Sequence, residues 1–234
     1  MARLPWAITR EMFLSLDEVE ALLAHVRKRA EAGGQTEFLD RLIVEVMLFS
    51  GLRNSEFCGL RLGDAILDRA DAMLAIRGMD EAGRTVHLPT AIGDLLSRYT
   101  SQIRSTLLPQ GVGPEDPDQA LVFHERRRPF ERTGLYRRVV RILTAAGLAE
   151  RASVQLLRHT YGYLAYLRTG GNLLFVQRQL GHAHPMVTSI YAQFVDESYA
   201  GLAERVFGAG EPAPAAEREP KVMNTVEEFR SEYD

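Results

Sequence analysis

Apolar residues recur every three or four positions over most of the chain, the spacing of amphipathic helices. Leu16, Val19, Leu22, Leu23 and Val26 share one face, behind a Ser15/Glu18 pair with capping-box spacing, and the pattern stops at Gly33-Gly34. A second stripe, Leu39, Leu42, Ile43, Val46 and Met47, ends at Gly51, and Arg53 to Leu60 reads as another short helix. The period then changes to two. Leu74 and Ile76 alternate with Ala75 and Arg77; Arg84, Val86 and Leu88 alternate with Thr85 and His87. This predicts a β-hairpin that turns within 78–83. Pro89 and Thr90 open a helix to about Arg104, and the Pro- and Gly-rich residues 105–119 form a loop. Leu121 to Phe123 suggest a short strand, and Thr133 is placed to cap a helix that runs to Gly147. The last third is again helical: Val154 to Arg168, then a helix capped by Asn172 and ended by Gly181, then one with Pro185 as its first residue. Residues 209–220, rich in Pro, Ala and Glu, read as an extended linker. Val222, Val226, Phe229 and Tyr233 beyond it recur at helical spacing, which fits either a docking helix or a disordered tail.

The expected fold is mainly α with a small antiparallel β-hairpin or sheet, an α+β arrangement. Its parts are an N-terminal arm (1–13), a single domain (14–208), and a linker with a C-terminal tail (209–234). With 234 residues, 46% hydrophobic and 25% charged, the chain is ordinary globular material that can build one full core. No apolar run is long enough for a membrane helix, and Cys58, the lone cysteine, excludes an intrachain disulfide. Both points agree with a cytoplasmic protein.

The net charge of −3 says less than its distribution. From residue 209 onward seven acids face three bases, so the rest of the chain is slightly basic. Arg126, Arg127, Arg128, Arg132, Arg137, Arg138 and Arg141 crowd one stretch that holds only Glu125 and Glu131. A solvated helix face explains such a cluster as readily as a polyanion site does. Lys28 and Lys221 are the only lysines; the other 26 bases are arginine.

Four segments carry candidate chemistry: Gly51 to Glu56, Gln155 to Thr160, Leu180-Gly181-His182, and Tyr191. Together they supply two arginines, a histidine and a tyrosine. Guanidinium groups bind the non-bridging oxygens of a phosphate bidentately, and a phenol can form a phosphoester and later leave. Each has a plain alternative. Arg53 and Glu56 suit a helix salt bridge, Arg158 a surface base, and His182 a helix-end contact. Tyr191, on a face with Val187 and Phe194, suits the core.

The order and spacing of these segments resemble the tyrosine site-specific recombinases of the phage-integrase type. Gly51-Leu52-Arg53-Asn54-Ser55-Glu56 looks like their first arginine box, with Phe57 where leucine is common. Leu157-Arg158-His159-Thr160 looks like the second, and Leu180-Gly181-His182 with Tyr191 nine residues on looks like the histidine and nucleophile segment. The resemblance spans roughly 13–207 and implies the catalytic-domain fold of that family, with double-stranded DNA as partner. It implies attack by Tyr191 on a DNA phosphate to leave a 3′-phosphotyrosine. Arg53 and Arg158 would grip the phosphate, His182 would bond a non-bridging oxygen, and Glu56 and His159 would support them. No metal or cofactor is implied. A multimer on DNA, as a tetrameric synapse, would follow, and a nucleoid location with it.

Two positions depart from the pattern. The hairpin lysine that protonates the leaving 5′ oxygen is missing; Arg77 is nearest to it, and arginine holds its proton too tightly for that task. His87 is another donor on that hairpin, though a surface histidine is its plainer reading. Gln155 stands where the family most often has histidine, three residues before the second arginine, so Arg77 and Gln155 are carried as altered members of the catalytic set. The expected DNA-backbone contacts are Arg126, Arg127, Arg128, Arg137 and Arg138. The family usually carries a helical clamp domain ahead of this one, and only about a dozen residues precede the first helix here, so the chain reads as a stand-alone catalytic domain, a fragment, or a protein that takes its clamp from a partner recombinase. A catalytically impaired DNA-binding member of the same family is the main alternative, and a type IB topoisomerase the next.

Overall fold

The computed structural model describes residues 9–68, 71–78, 83–184, 186–196 and 216–217. Eight α-helices among them carry the frame: α1 (Leu16–Ala32), α2 (Gln35–Ser50), α3 (Asn54–Gly59), α4 (Thr90–Arg98), α5 (Arg132–Ala145), α6 (Val154–Arg168), α7 (Leu173–Leu180) and α8 (Met186–Ser189). The capping box at the head of α1 is formed: the Ser15 hydroxyl accepts from the Glu18 N–H, and Glu18 accepts from the Ser15 N–H. Such a cap is worth about 1 kcal/mol. Asn172 caps α7 through its side chain, as its sequence position predicts. The sequence places Thr133 as the cap of α5, but the cap position is Glu131 and Thr133 lies inside the helix. Pro185 falls outside the described residues, as does the apolar stripe from Val222 to Tyr233.

The predicted hairpin is the main part of a three-stranded antiparallel sheet, β1 (Ala65–Ile66), β2 (Met73–Ile76) and β3 (Arg84–His87). Leu74 pairs with Val86, and both face the core, while Thr85 and His87 point outward. A two-residue strand such as β1 leaves no periodic trace in a sequence. The predicted strand at 121–123 is displaced, to β4 (Phe123–His124) paired with β5 (Arg128–Pro129). Near the end, β6 (Val195–Asp196) pairs with β7 (Ala216–Glu217), so part of the expected extended linker is a strand.

The core is central to the helices. α2 is buried on nearly every face, packed between α1 and α6. Phe13, the last residue of the expected arm, is fully buried, its ring 4.5 Å from that of Tyr163 and 4.8 Å from that of Phe194. The helix after Pro89 does not run evenly to Arg104. It passes into a π-helical stretch (Tyr99–Ile103) and then a 3₁₀ turn (Arg104–Leu107). Two buried polar side chains accompany the change. The Tyr99 hydroxyl accepts from the Phe123 N–H at 2.9 Å, and Arg104, 1% exposed, donates to the carbonyls of Leu121, Pro114 and Ala120. Arg104 thereby organises the loop that the sequence marks only by its prolines and glycines. No helix among the described residues is long and apolar enough to cross a membrane.

Candidate active site

The site forms where three helix ends meet. α2 ends on Gly51 (φ 64°) and α7 on Gly181 (φ 65°), both left-handed and both suited to glycine. A side chain at Gly51 would also strike Tyr161 and Leu180. These tight stops aim main-chain carbonyls at one point, and Arg158 of α6 occupies it. It is 6% exposed and donates to the Gly51 carbonyl at 2.5 Å and the Leu180 carbonyl at 2.7 Å. Burial, with Arg53 nearby, lowers its pKa to about 10, which leaves it cationic at neutral pH.

Arg53 stands at the N-terminal boundary of α3. Its guanidinium donates to Glu56 Oε1 at 2.8 Å and reaches the Gly181 carbonyl at 3.3 Å, and its N–H donates to Glu56 Oε2. Glu56 also receives both ends of the Arg84 guanidinium, at 2.6 and 2.9 Å, and lies 4.0 Å from Arg158. Burial alone would raise its pKa; the Arg84 and Arg53 hydrogen bonds outweigh it and bring the value down to about 2. The plain reading of Arg53–Glu56 as a salt bridge therefore holds.

His182 follows Gly181. Its Nδ1 lies 2.9 Å from the buried Thr188 hydroxyl, and its main chain is pinned by Gln177 from both sides. Burial, with Arg158 and Arg53 adding to it, drops its pKa to about 4, so the ring is neutral at physiological pH. Tyr191 is 1% exposed. Its hydroxyl lies 3.2 Å from His159 Nδ1, and its ring occupies space left by Gly162, where a Cβ would stand 2.2 Å from Cζ. Burial raises the phenol to about 12, against the opposing pull of Arg158. The tyrosine is thus both a core aromatic and a neighbour of the arginine pocket.

Arg53, Glu56, Arg158, His182, His159 and Tyr191 are brought together. Arg77 and Gln155 are not joined to them by any hydrogen bond or ion pair. The Arg77 guanidinium is held by Asp64 at 2.9–3.0 Å, and Gln155 is exposed on α6. His87 bonds Asp71 at the surface, yet lines one groove with Arg84 and His182. The sequence reading missed Arg84, Thr188 and Gly162. Arg84 carried a signal: it shares the strand face of Val86 and Leu88, and a charge on a core face needs a buried partner.

The arginine stretch adjoins this pocket, because Asn54 Nδ2 bonds the Arg132 carbonyl at the start of α5. Arg126, Arg127, Arg128 and Arg137 are exposed, and Arg126, Arg128 and Arg137 help line an open depression. Arg138 differs from the expectation. It also lines that depression, but it is held by Asp40, Glu125 and the Thr36 carbonyl, with its side chain 9% exposed, so it braces α5 against α2 and its charge is paired.

A pocket of arginines and a neutral histidine, with a phenol behind it, is therefore set in a mainly helical frame. The Phage integrase family model matches residues 12–197, and the chain belongs to that family. It is 27% identical over 182 residues to the tyrosine recombinase XerH of Helicobacter pylori, covering 77% of this chain and 48% of that one. It is 29% identical over 185 residues to the tyrosine recombinase XerC of Listeria welshimeri, covering 79% of this chain and 58% of that one. The chain thus spans about half the length of these relatives. Among solved structures, XerH bound to its difH substrate in a pre-cleavage complex superposes with a TM-score of 0.66 at 26% identity, over 83% of this chain and 53% of that one. The catalytic domain of bacteriophage HP1 integrase shares the fold, with a TM-score of 0.52 over 87% of this chain and 98% of that one.

Proposed function

We propose that this chain cleaves and rejoins double-stranded DNA through a 3′-phosphotyrosine on Tyr191, as a site-specific recombinase. The observation that carries the reading is the convergence of Arg53, Arg158 and His182 on one pocket with the Tyr191 phenol beside Arg158. Three arginines against one carboxylate give the pocket the surplus positive charge that a phosphodiester needs, and the need is greater in the pentacoordinate transition state, where more negative charge sits on the phosphorus-bound oxygens. Tyr191 Oη sheds its proton to solvent as it forms a bond to phosphorus, and the bond to the 5′ oxygen breaks. The phosphotyrosine keeps the bond energy, so a second 5′ hydroxyl can reverse the step on another strand. With Arg77 spent on Asp64, the leaving oxygen draws its proton from water. Without a dedicated acid, cleavage should be slow, by about 10²-fold or more against a lysine-bearing site.

The exposed arginines beside α5 are the proposed DNA-backbone contacts. Arg127 supports this reading: it holds φ 58° at the β4–β5 turn. Glycine would take that conformation without the steric cost of about 1 kcal/mol, so the turn alone does not explain an arginine there. Assembly as a multimer on DNA, with a partner recombinase contributing a clamp, completes the proposal, as does location at the nucleoid.

The test is incubation with a nicked suicide substrate carrying the protein's native flanking DNA. Wild type should give a protein–DNA adduct that survives SDS, and Tyr191→Phe none. DNA binding without an adduct, with or without a clamp-bearing partner, would instead make the chain a non-catalytic member of its family.

A further inference from the structure

We propose that Arg84 is a positioning residue of this site: by gripping Glu56 it aligns Arg53 and keeps the pocket's positive charge free for phosphate. The inference rests on the strand-transfer reading above. Arg84 opens β3 on the core face, and all three of its guanidinium nitrogens are used. Nη1 and Nη2 take the two oxygens of Glu56, and Nε donates to the Gln179 carbonyl at 2.9 Å. One side chain so links the hairpin, α3 and the last turn of α7. It also lies flat against the Gly181 turn, where a Cβ would stand 2.9 Å from its Cδ.

Both of Arg53's side-chain contacts, Glu56 Oε1 and the Gly181 carbonyl, belong to surfaces that Arg84 fixes. Without Arg84, the Glu56 carboxylate would be left to Arg53 and to Arg158, 4.0 Å away. It would then neutralise the two groups meant for phosphate and draw Arg158 from its carbonyls. Arg84 engages both carboxylate oxygens and so shares out the charge that Arg53 and Arg158 would otherwise neutralise. A lysine at this position would supply a charge but not the planar fork that takes two oxygens and a carbonyl together.

The test compares Arg84→Met, Arg84→Lys, Glu56→Gln and the Arg84→Met/Glu56→Gln double variant in the full chain. Carbon-13 NMR should show the Glu56 carboxyl titrating at about 2 in wild type. In Arg84→Met its midpoint should rise by about one unit or more. Cleavage of the suicide substrate should slow by about 10²-fold while the Kd for DNA is unchanged, the signature of misalignment. Lysine should recover much of the titration shift but not the rate. Adding Arg84→Met to Glu56→Gln should cause no further loss. An unmoved Glu56 midpoint in folded Arg84→Met overturns the proposal, and so does an equal loss of rate with and without Glu56. If methionine unfolds the chain, full rate in Arg84→Lys would overturn the claim for the fork, and a slow Arg84→Lys would uphold it. Should wild type form no adduct on any DNA, the strand-transfer reading fails, and the Glu56 titration still decides whether Arg84 sets that carboxylate.

Discussion

Glu56 lies among three guanidinium groups, and that placement makes its ionisation a folding term. Its pKa is about 2 in the folded chain against 4.5 for an unperturbed carboxyl. A depressed carboxyl stabilises the fold fully above the unfolded value and loses that contribution as pH falls through the folded one. The difference amounts to about 3 kcal/mol. Urea titrations of wild type and Glu56→Gln should therefore diverge most at neutral pH and converge as pH drops below about 4. His182, with a pKa of about 4, is neutral at physiological pH and takes up a proton within this same acid range. At this scale the sequence was partly legible. Arg53, Arg158, His182 and Tyr191 stand in motifs whose spacing is diagnostic. Glu56 and His159 were legible with them, but what seats Arg158 and the Tyr191 ring was not, because Arg158 is held by main-chain carbonyls and the Tyr191 ring by the gap at Gly162, and neither contact has a residue-type signature. Arg77 was legible as a departure but not as the partner of Asp64.

Helices with periodic apolar faces and side-chain caps could be read directly, as in α1, α6 and α7. What escaped were elements defined by tertiary contacts. β1 exists because two residues meet β2, and the turn into a π-helix at Tyr99 accompanies hydroxyl and guanidinium contacts to a distant loop. Arg104 gives this loop its shape through three carbonyl acceptors, with no carboxylate bonded to it. Arg104→Ala should destabilise the chain by about 3 kcal/mol, as lost charge-assisted hydrogen bonds and stranded carbonyls would. A shift in urea midpoint at unchanged slope is the expected readout. A change within error would mean that the loop is held by its apolar contacts alone.

Across the whole molecule, charge is sorted rather than abundant. The formal net charge is −3, yet Arg126, Arg127, Arg128 and Arg137 stand exposed beside the pocket, and Arg138 of the same run is turned inward. The sequence showed the cluster but not which members face solvent, since that depends on where Asp40 and Glu125 fall in space. If the outward group binds the DNA backbone, affinity should fall linearly with salt on logarithmic axes. Replacing Arg126, Arg127 and Arg128 by alanine should flatten the slope by about 3. The same replacement of Arg138 should lower stability and leave the slope unchanged.

Arg158 joins the ends of α2 and α7 and also offers the pocket its deepest positive charge. Under the proposed function, architecture and chemistry share one guanidinium, and mutation cannot separate them. Removing it strands two helix-end carbonyls in the interior and, on that reading, empties the phosphate site in the same stroke. A lineage that abandoned catalysis while keeping this fold would shed the phenol long before this arginine. Persistence of an arginine here is evidence of ancestry, whereas persistence of the tyrosine with its arginine pocket intact is the evidence that bears on work still done.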